Sequence, residues 1–137
     1  MLNYLDISIL LITGYSPRKD AFVDLLKDVC DDSSSIKTIS DATQIEKNRI
    51  TEPDLCLLDL ANIKTPSLEV IKKVKNHFTG SKIVAVHIYS SSLLVDPLFQ
   101  AGINGYLTYE PTRSSIKKAL DCVLSNETYI PEEILLP

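Results

Sequence analysis

Short apolar runs alternate with amphipathic stretches along most of the chain. Ile7 to Ile12 reads I-S-I-L-L-I, apolar on both faces, the pattern of a parallel strand buried on two sides. A turn, Thr13 to Pro17, leads into a helix from about Pro17 to Cys30, with Ala21, Phe22, Leu25, Leu26 and Val29 at helical spacing. Asp31 to Ser35 is polar, and Ile36 to Ile39 is a short strand near an edge. Ser40 or Asp41 would cap a weak helix over Ala42 to Arg49. Asp54 to Asp59 is a second doubly buried strand, and Ser67 to Phe78 is helical, with Leu68, Ile71, Val74 and Lys75 in step and Gly80 ending it. Ile83 to Ile88 is the fourth strand. Leu93 to Ala101 is a short helix ended by Gly102, which Pro97 should shorten, kink or delay. Asn104 to Thr108 is the fifth strand, and a last helix runs from Pro111 or Thr112 to about Ser125, its apolar positions being Ile116, Leu120, Val123 and Leu124.

Five strands alternating with five helices predict an α/β fold. Crossover helices impose a parallel sheet with right-handed connections and helices on both faces. The expected architecture is doubly wound and flavodoxin-like, a (βα)5 sheet in the order 2-1-3-4-5. The chain has 137 residues, enough for one domain with its own core. We assign that domain to residues 1–125 and read 126–137 as a C-terminal tail or linker.

Composition narrows the function classes. Hydrophobic residues are 45% and charged residues 23%, which excludes general disorder. The net charge of −4 argues against nucleic-acid binding driven by overall charge. Cys30, Cys56 and Cys122 are too far apart for a metal knuckle or a redox pair and suggest a reducing compartment. No signal peptide or membrane-spanning run is visible, so a cytoplasmic protein is expected.

In a doubly wound sheet, ligands bind beyond the carboxyl ends of the strands. Those ends carry Thr13 and Gly14, Asp59, His87, and Tyr109 with Glu110. Gly14 stands alone, so there is no dinucleotide fingerprint, and no phosphate-cradling loop is present. Asp59 and His87 have no Ser or Cys nucleophile beside them in a recognisable motif, so catalysis is not expected.

Three segments resemble bacterial response-regulator receiver domains of the type that precedes a helix-turn-helix DNA-binding domain. Pro53 to Asp59, P-D-L-C-L-L-D, is similar to the phosphoacceptor strand. Ala101 to Leu107, A-G-I-N-G-Y-L, is similar to the approach to the fifth strand, and Glu127 to Pro131, E-T-Y-I-P, to the tail that precedes the output domain. The resemblance places the phosphoacceptor on Asp59. It places the magnesium-holding acidic pair on Thr13 and Gly14, the switch hydroxyl on His87, the aromatic switch on Tyr106 and the lysine on Tyr109. Only the aspartate and the aromatic are retained, so the resemblance is to a degenerate, atypical receiver.

Phosphoryl transfer to a carboxylate needs cations on the oxygens of both groups. With Asp59 as the only carboxylate of the set and the lysine gone, magnesium binding should be weak or absent and Asp59 inactive or slow. Asp59 would then be satisfied by backbone donors and neighbours. His87 would either pair with Asp59, which would raise its pKa, or fill space with one hydrogen bond. Tyr109 would either hydrogen-bond Asp59 or face solvent, and Tyr106 would be a switch or a fixed aromatic.

The expected function is signal transduction and transcription regulation through protein–protein contact. No catalytic residue, metal site or cofactor is expected. The partner would be a second copy, meeting through faces near Leu94 to Leu98, Tyr106 and Ile116 to Leu124. A sensor kinase is a further candidate partner, and DNA would be reached only through an output domain beyond this segment. Two alternatives remain: a small-molecule pocket at Asp59, His87 and Tyr109, and a slow phosphorelay receiver at Asp59.

Overall fold

The computed structural model describes residues 7–31 and 34–134. Its five strands are β1 (Ser8–Ile12), β2 (Ser35–Ile39), β3 (Leu55–Asp59), β4 (Lys82–His87) and β5 (Gly105–Thr108). All pair in parallel, in the order β2-β1-β3-β4-β5 that the alternation predicts. The helices are α1 (Ser16–Val29), α2 (Gln44–Lys47), α3 (Ser67–His77), α4 (Ser92–Ala101) and α5 (Arg113–Leu124), and a 3-10 turn, Leu60–Asn62, follows β3.

The alternation of side chains across a strand explains why the apolar runs are continuous. Ile9, Leu11, Leu55, Leu57, Val84, Val86 and Leu107 point to one face and pack with Phe22 and Leu26 of α1 and Ile116, Ala119, Leu120 and Val123 of α5. Leu10, Ile12, Cys56, Leu58, Ile83, Ala85 and Tyr106 point to the other, against Val70, Ile71 and Val74 of α3 and Val95 and Leu98 of α4. Cys56 is wholly buried, and that burial pushes its thiol pKa up to about 12, so it is a neutral core thiol.

Several local expectations shift. The weak second helix shrinks to four residues, and Asp41, instead of capping it as the first residue outside, accepts from the amide and hydroxyl of Thr43. Leu68 is 45% exposed, and Val70 takes the inward position on α3. Pro97 neither delays nor ends α4, which runs from Ser92 to Ala101 around it. Pro97 is on the exposed side, where one missing backbone bond is tolerated. Gly102 then stops the helix at φ 123°, a conformation that side chains avoid.

Of residues 126–137, expected as a tail or linker, 135–137 lie outside the described residues, while Tyr129, Pro131 and Ile134 are anchored against the sheet. Tyr129 pairs in parallel with Gly105, donating its amide to the Asn104 carbonyl (3.0 Å) and accepting the Tyr106 amide (2.9 Å). Of the residues expected to form contact faces, Tyr106, Leu98, Ile116, Leu120 and Val123 are buried in the chain's own core, whereas Leu94 is exposed. Among the described residues no helix is long and apolar enough to cross a membrane.

Candidate functional site

The parallel sheet delivers Thr13, Asp59, His87 and Thr108 to one edge, because every strand ends there. Asp59 is the last residue of β3 and has no exposed surface. An ionised carboxylate at such a place must be matched by donors or a cation. It is matched by three side chains, and these replace the backbone donors expected from sequence. Thr13 donates its hydroxyl to Oδ2 (2.8 Å), and Asn62 donates its amide to the same oxygen (3.0 Å). Arg18 supplies the charge: its Nε donates to Oδ2 (2.9 Å) and its Nη2 to Oδ1 (3.2 Å), a two-point guanidinium–carboxylate contact.

Arg18 stands in the first turn of α1, where a cation opposes the helix dipole. Its other contacts hold it there. Nη2 donates to the Tyr109 carbonyl (2.8 Å), and Nη1 reaches Glu110 Oε1 (3.4 Å). The guanidinium carbon lies 3.8 Å from the centroid of the Tyr109 ring and 5.1 Å from that of Phe22. Burial works against the Arg18 charge, but the hydrogen bond and attraction to Asp59 outweigh it, and the guanidinium pKa lies above its ordinary value.

The Tyr109 side chain turns inward. Its hydroxyl meets the Asn62 amide (3.3 Å) rather than Asp59, and its ring covers Arg18. The guanidinium thus occupies the space between Asp59 and Tyr109. Gly14 lies too close to the Asn62 backbone to carry a side chain. Its amide donates to the Asn62 carbonyl at 2.6 Å, and a Cβ there would fall 2.5 Å from that oxygen. An acidic side chain at Gly14 is therefore excluded by backbone. Open clefts of about 440 and 300 Å3 are both lined by Gly14 and Ser40, the first also by Asn62 and the second by Thr13.

His87 makes no hydrogen bond to Asp59. Its Nδ1 accepts the Ile88 amide (2.8 Å), which leaves the proton of the neutral ring on Nε2, 3.1 Å from Ser67 Oγ. The imidazole donates to that hydroxyl, the reverse of what a general base does. It also stacks on Tyr89, with centroids 4.0 Å apart. Burial lowers the His87 pKa, and the Asp59 charge opposes that shift without reversing it. Tyr106 is wholly buried and donates its hydroxyl to the Tyr89 carbonyl (2.8 Å), and burial raises its pKa.

Strand-end reasoning located Thr13, Asp59, Tyr109 and Glu110, which the fold brings to Arg18. It missed Arg18 and Asn62. The signal for Arg18 was a basic residue at the wrong end of a helix, four positions before the buried Phe22. Asn62 had no comparable signal, since its place depends on the 3-10 turn after β3.

No protein-family model matches the chain. The Fimbriae Z protein of Salmonella typhimurium is 26% identical over 100 residues, 73% of this chain and 48% of that protein. The response regulator GacA of Pseudomonas viridiflava is 28% identical over 90 residues, 66% of this chain and 42% of GacA. The chain therefore spans about half the length of these relatives, or less. A LuxR-family two-component response regulator from Aurantimonas sp. matches with a TM-score of 0.81 over 94% of this chain and 92% of that one, at 18% identity. That likeness shows the fold. The relatives' names and the shared fold together support a response-regulator receiver domain.

Two outcomes follow from this geometry. Arg18→Ala leaves a fully buried charge without its cation and should cost about 3 kcal/mol in urea unfolding. Asp59→Asn should cost less, because Arg18 retains Glu110 and some solvent, and adding it to Arg18→Ala should restore stability; equal costs for the two single variants would contradict the pairing. The second outcome concerns pH. The folded His87 pKa is depressed, so the unfolded chain binds more protons. Its contribution is complete above about pH 6.5, the unfolded value, and falls as pH drops below it. His87→Gln should flatten the stability slope over that window, as read by denaturation at several pH values.

Proposed function

Taking a response-regulator receiver domain as the premise, we propose that this one works in cytoplasmic signal transduction and transcription regulation without phosphorylation of Asp59. It acts by protein contact, chiefly with a second copy of itself, and reaches DNA through an output domain on the same polypeptide. A sensor kinase is not needed to set its state. The observation that supports this reading is the Arg18–Asp59 pair. A receiver carboxylate that accepts phosphate must face a cation and an incoming phosphoryl group. Here its oxygens already accept bonds from Thr13, Asn62 and Arg18.

The donor set does not fit magnesium, which asks for a shell of oxygens and one or two carboxylates. Bringing a divalent cation to Asp59 would set it against a guanidinium 2.9 Å from Oδ2. Glu110, the nearest further carboxylate in this network, is itself engaged by Arg18. The tautomer of His87 supports a non-enzymatic role, since the ring donates to Ser67 rather than activating it.

Self-association has its own support. α1 packs beside α5; the exposed positions of α1 include Asp20, Asp24, Lys27 and Asp28, and those of α5 include Lys118 and Arg113, whose Nη2 donates to the Asp28 carbonyl of its own chain (3.5 Å). The Asp20, Asp24 and Asp28 row of one copy set against Arg113 and Lys118 of another would be complementary under a two-fold axis.

The test is incubation with a small-molecule phosphodonor and magnesium, followed by intact-mass measurement and sedimentation of the same sample. No gain of a phosphoryl mass, and an unchanged association state, are expected. A phosphoryl adduct that disappears in Asp59→Ala would return this domain to a slow phosphorelay receiver.

A further inference from the structure

The C-terminal segment supplies an inference independent of the Asp59 cage. It leaves α5 through Asn126, which takes φ 64° and donates its amide to Val123, while the Glu127 amide bonds Cys122. It then meets β5 at the sheet edge. Tyr129 bridges Gly105, and its side chain is half-buried against the cluster that holds Leu107 and Val123. Five residues later, Ile134 is 9% exposed and belongs to the cluster on the opposite face, with Val95, Leu98, Ile103 and Tyr106. Pro131 is buried between them, and the Ile134 amide donates back to the Pro131 carbonyl. The segment therefore crosses the edge of the sheet, from the α5 side to the α4 side.

This crossing does two things at β5. It satisfies the Asn104 carbonyl and the Tyr106 amide, groups that an edge strand would otherwise present to solvent or to another chain. It also adds an apolar residue to the face into which Tyr106 points. Tyr106 is then held by its amide on Tyr129, by its hydroxyl on Tyr89 and by burial of its ring. The hydroxyl bond alone would not keep a large aromatic inward, since a single such bond exchanges for one with water at little net gain.

We propose that residues 126–134 form a strap that holds Tyr106 inward, so that the β5 edge and the α4–β5 face are uncovered when the strap is released. Whatever pulls on the chain beyond Ile134 acts on that face directly. Events at Asp59 reach it only indirectly.

The experiment labels the full chain with 3-fluorotyrosine and reads fluorine relaxation in a soluble paramagnetic agent. Tyr106→Phe and Tyr129→Phe assign the two resonances. In the unaltered chain Tyr106 should be shielded. The double variant Tyr129→Pro with Ile134→Asp removes both anchors and should raise relaxation at Tyr106 roughly tenfold, as expected for local opening. Ile130→Asp, at a residue 47% exposed on the same segment, should leave it unchanged. Ile134→Ala, the milder change, should give a smaller rise at Tyr106 and Tyr129 while β3 amides keep their protection from hydrogen exchange. Continued shielding of Tyr106 in the double variant would overturn the proposal. So would a rise that β3 amide exchange shares in Ile134→Ala, because the segment would then be part of the global fold and not a releasable strap.

Discussion

A carboxylate with no exposed surface at the end of a central strand is costly unless a cation stands within hydrogen-bond reach. In this chain the cation is part of the polypeptide. Arg18 meets Asp59 through two nitrogens, and the same guanidinium ties the first turn of α1 to the loop after β5 through the Tyr109 carbonyl and Glu110. Three segments far apart in sequence thus converge on one charge. Removing the arginine would leave the aspartate buried and unmatched, whereas removing the aspartate leaves an arginine with other partners.

The rest of the strand-end edge is arranged around that pair. Tyr109 roofs the guanidinium, Asn62 bridges Asp59 and the Tyr109 hydroxyl, and the Gly14 amide on the Asn62 carbonyl brings two loops too close for a side chain between them. His87 belongs to a second network that runs from Ser67 through the stacked Tyr89 to the hydroxyl of Tyr106. The two networks share an electrostatic influence of Asp59 on His87 and no hydrogen bond between those two residues. That separation accounts for a neutral histidine beside a buried carboxylate: desolvation prevails where no direct bond favours the charged ring.

Much of the architecture was legible because doubly buried strands write themselves as continuous apolar runs. I-S-I-L-L-I and D-L-C-L-L-D serve two opposed cores at once, and their alternate residues divide between those cores residue by residue. Helix faces were less legible: Leu68 fits the helical interval, yet Val70 is the residue that turns inward. The edge residues Thr13, Asp59 and Tyr109 followed from strand ends, but what they touch did not. Arg18 reaches Asp59 across 41 positions, and its misplacement on the α1 dipole was the single local sign. The docking of Tyr129 on Gly105 rests on one bridge, too short to produce any periodic pattern.

Arg18 is the counter-ion of Asp59, and on the proposed reading it keeps magnesium and phosphate from that carboxylate. The most direct test is a crystal structure grown with magnesium and a beryllofluoride phosphoryl analogue. The expected result is the Arg18 guanidinium still on both oxygens of Asp59, under the Tyr109 ring, with neither reagent bound to the carboxylate. A structure with the analogue on Asp59, a cation beside it and Arg18 swung away would contradict it.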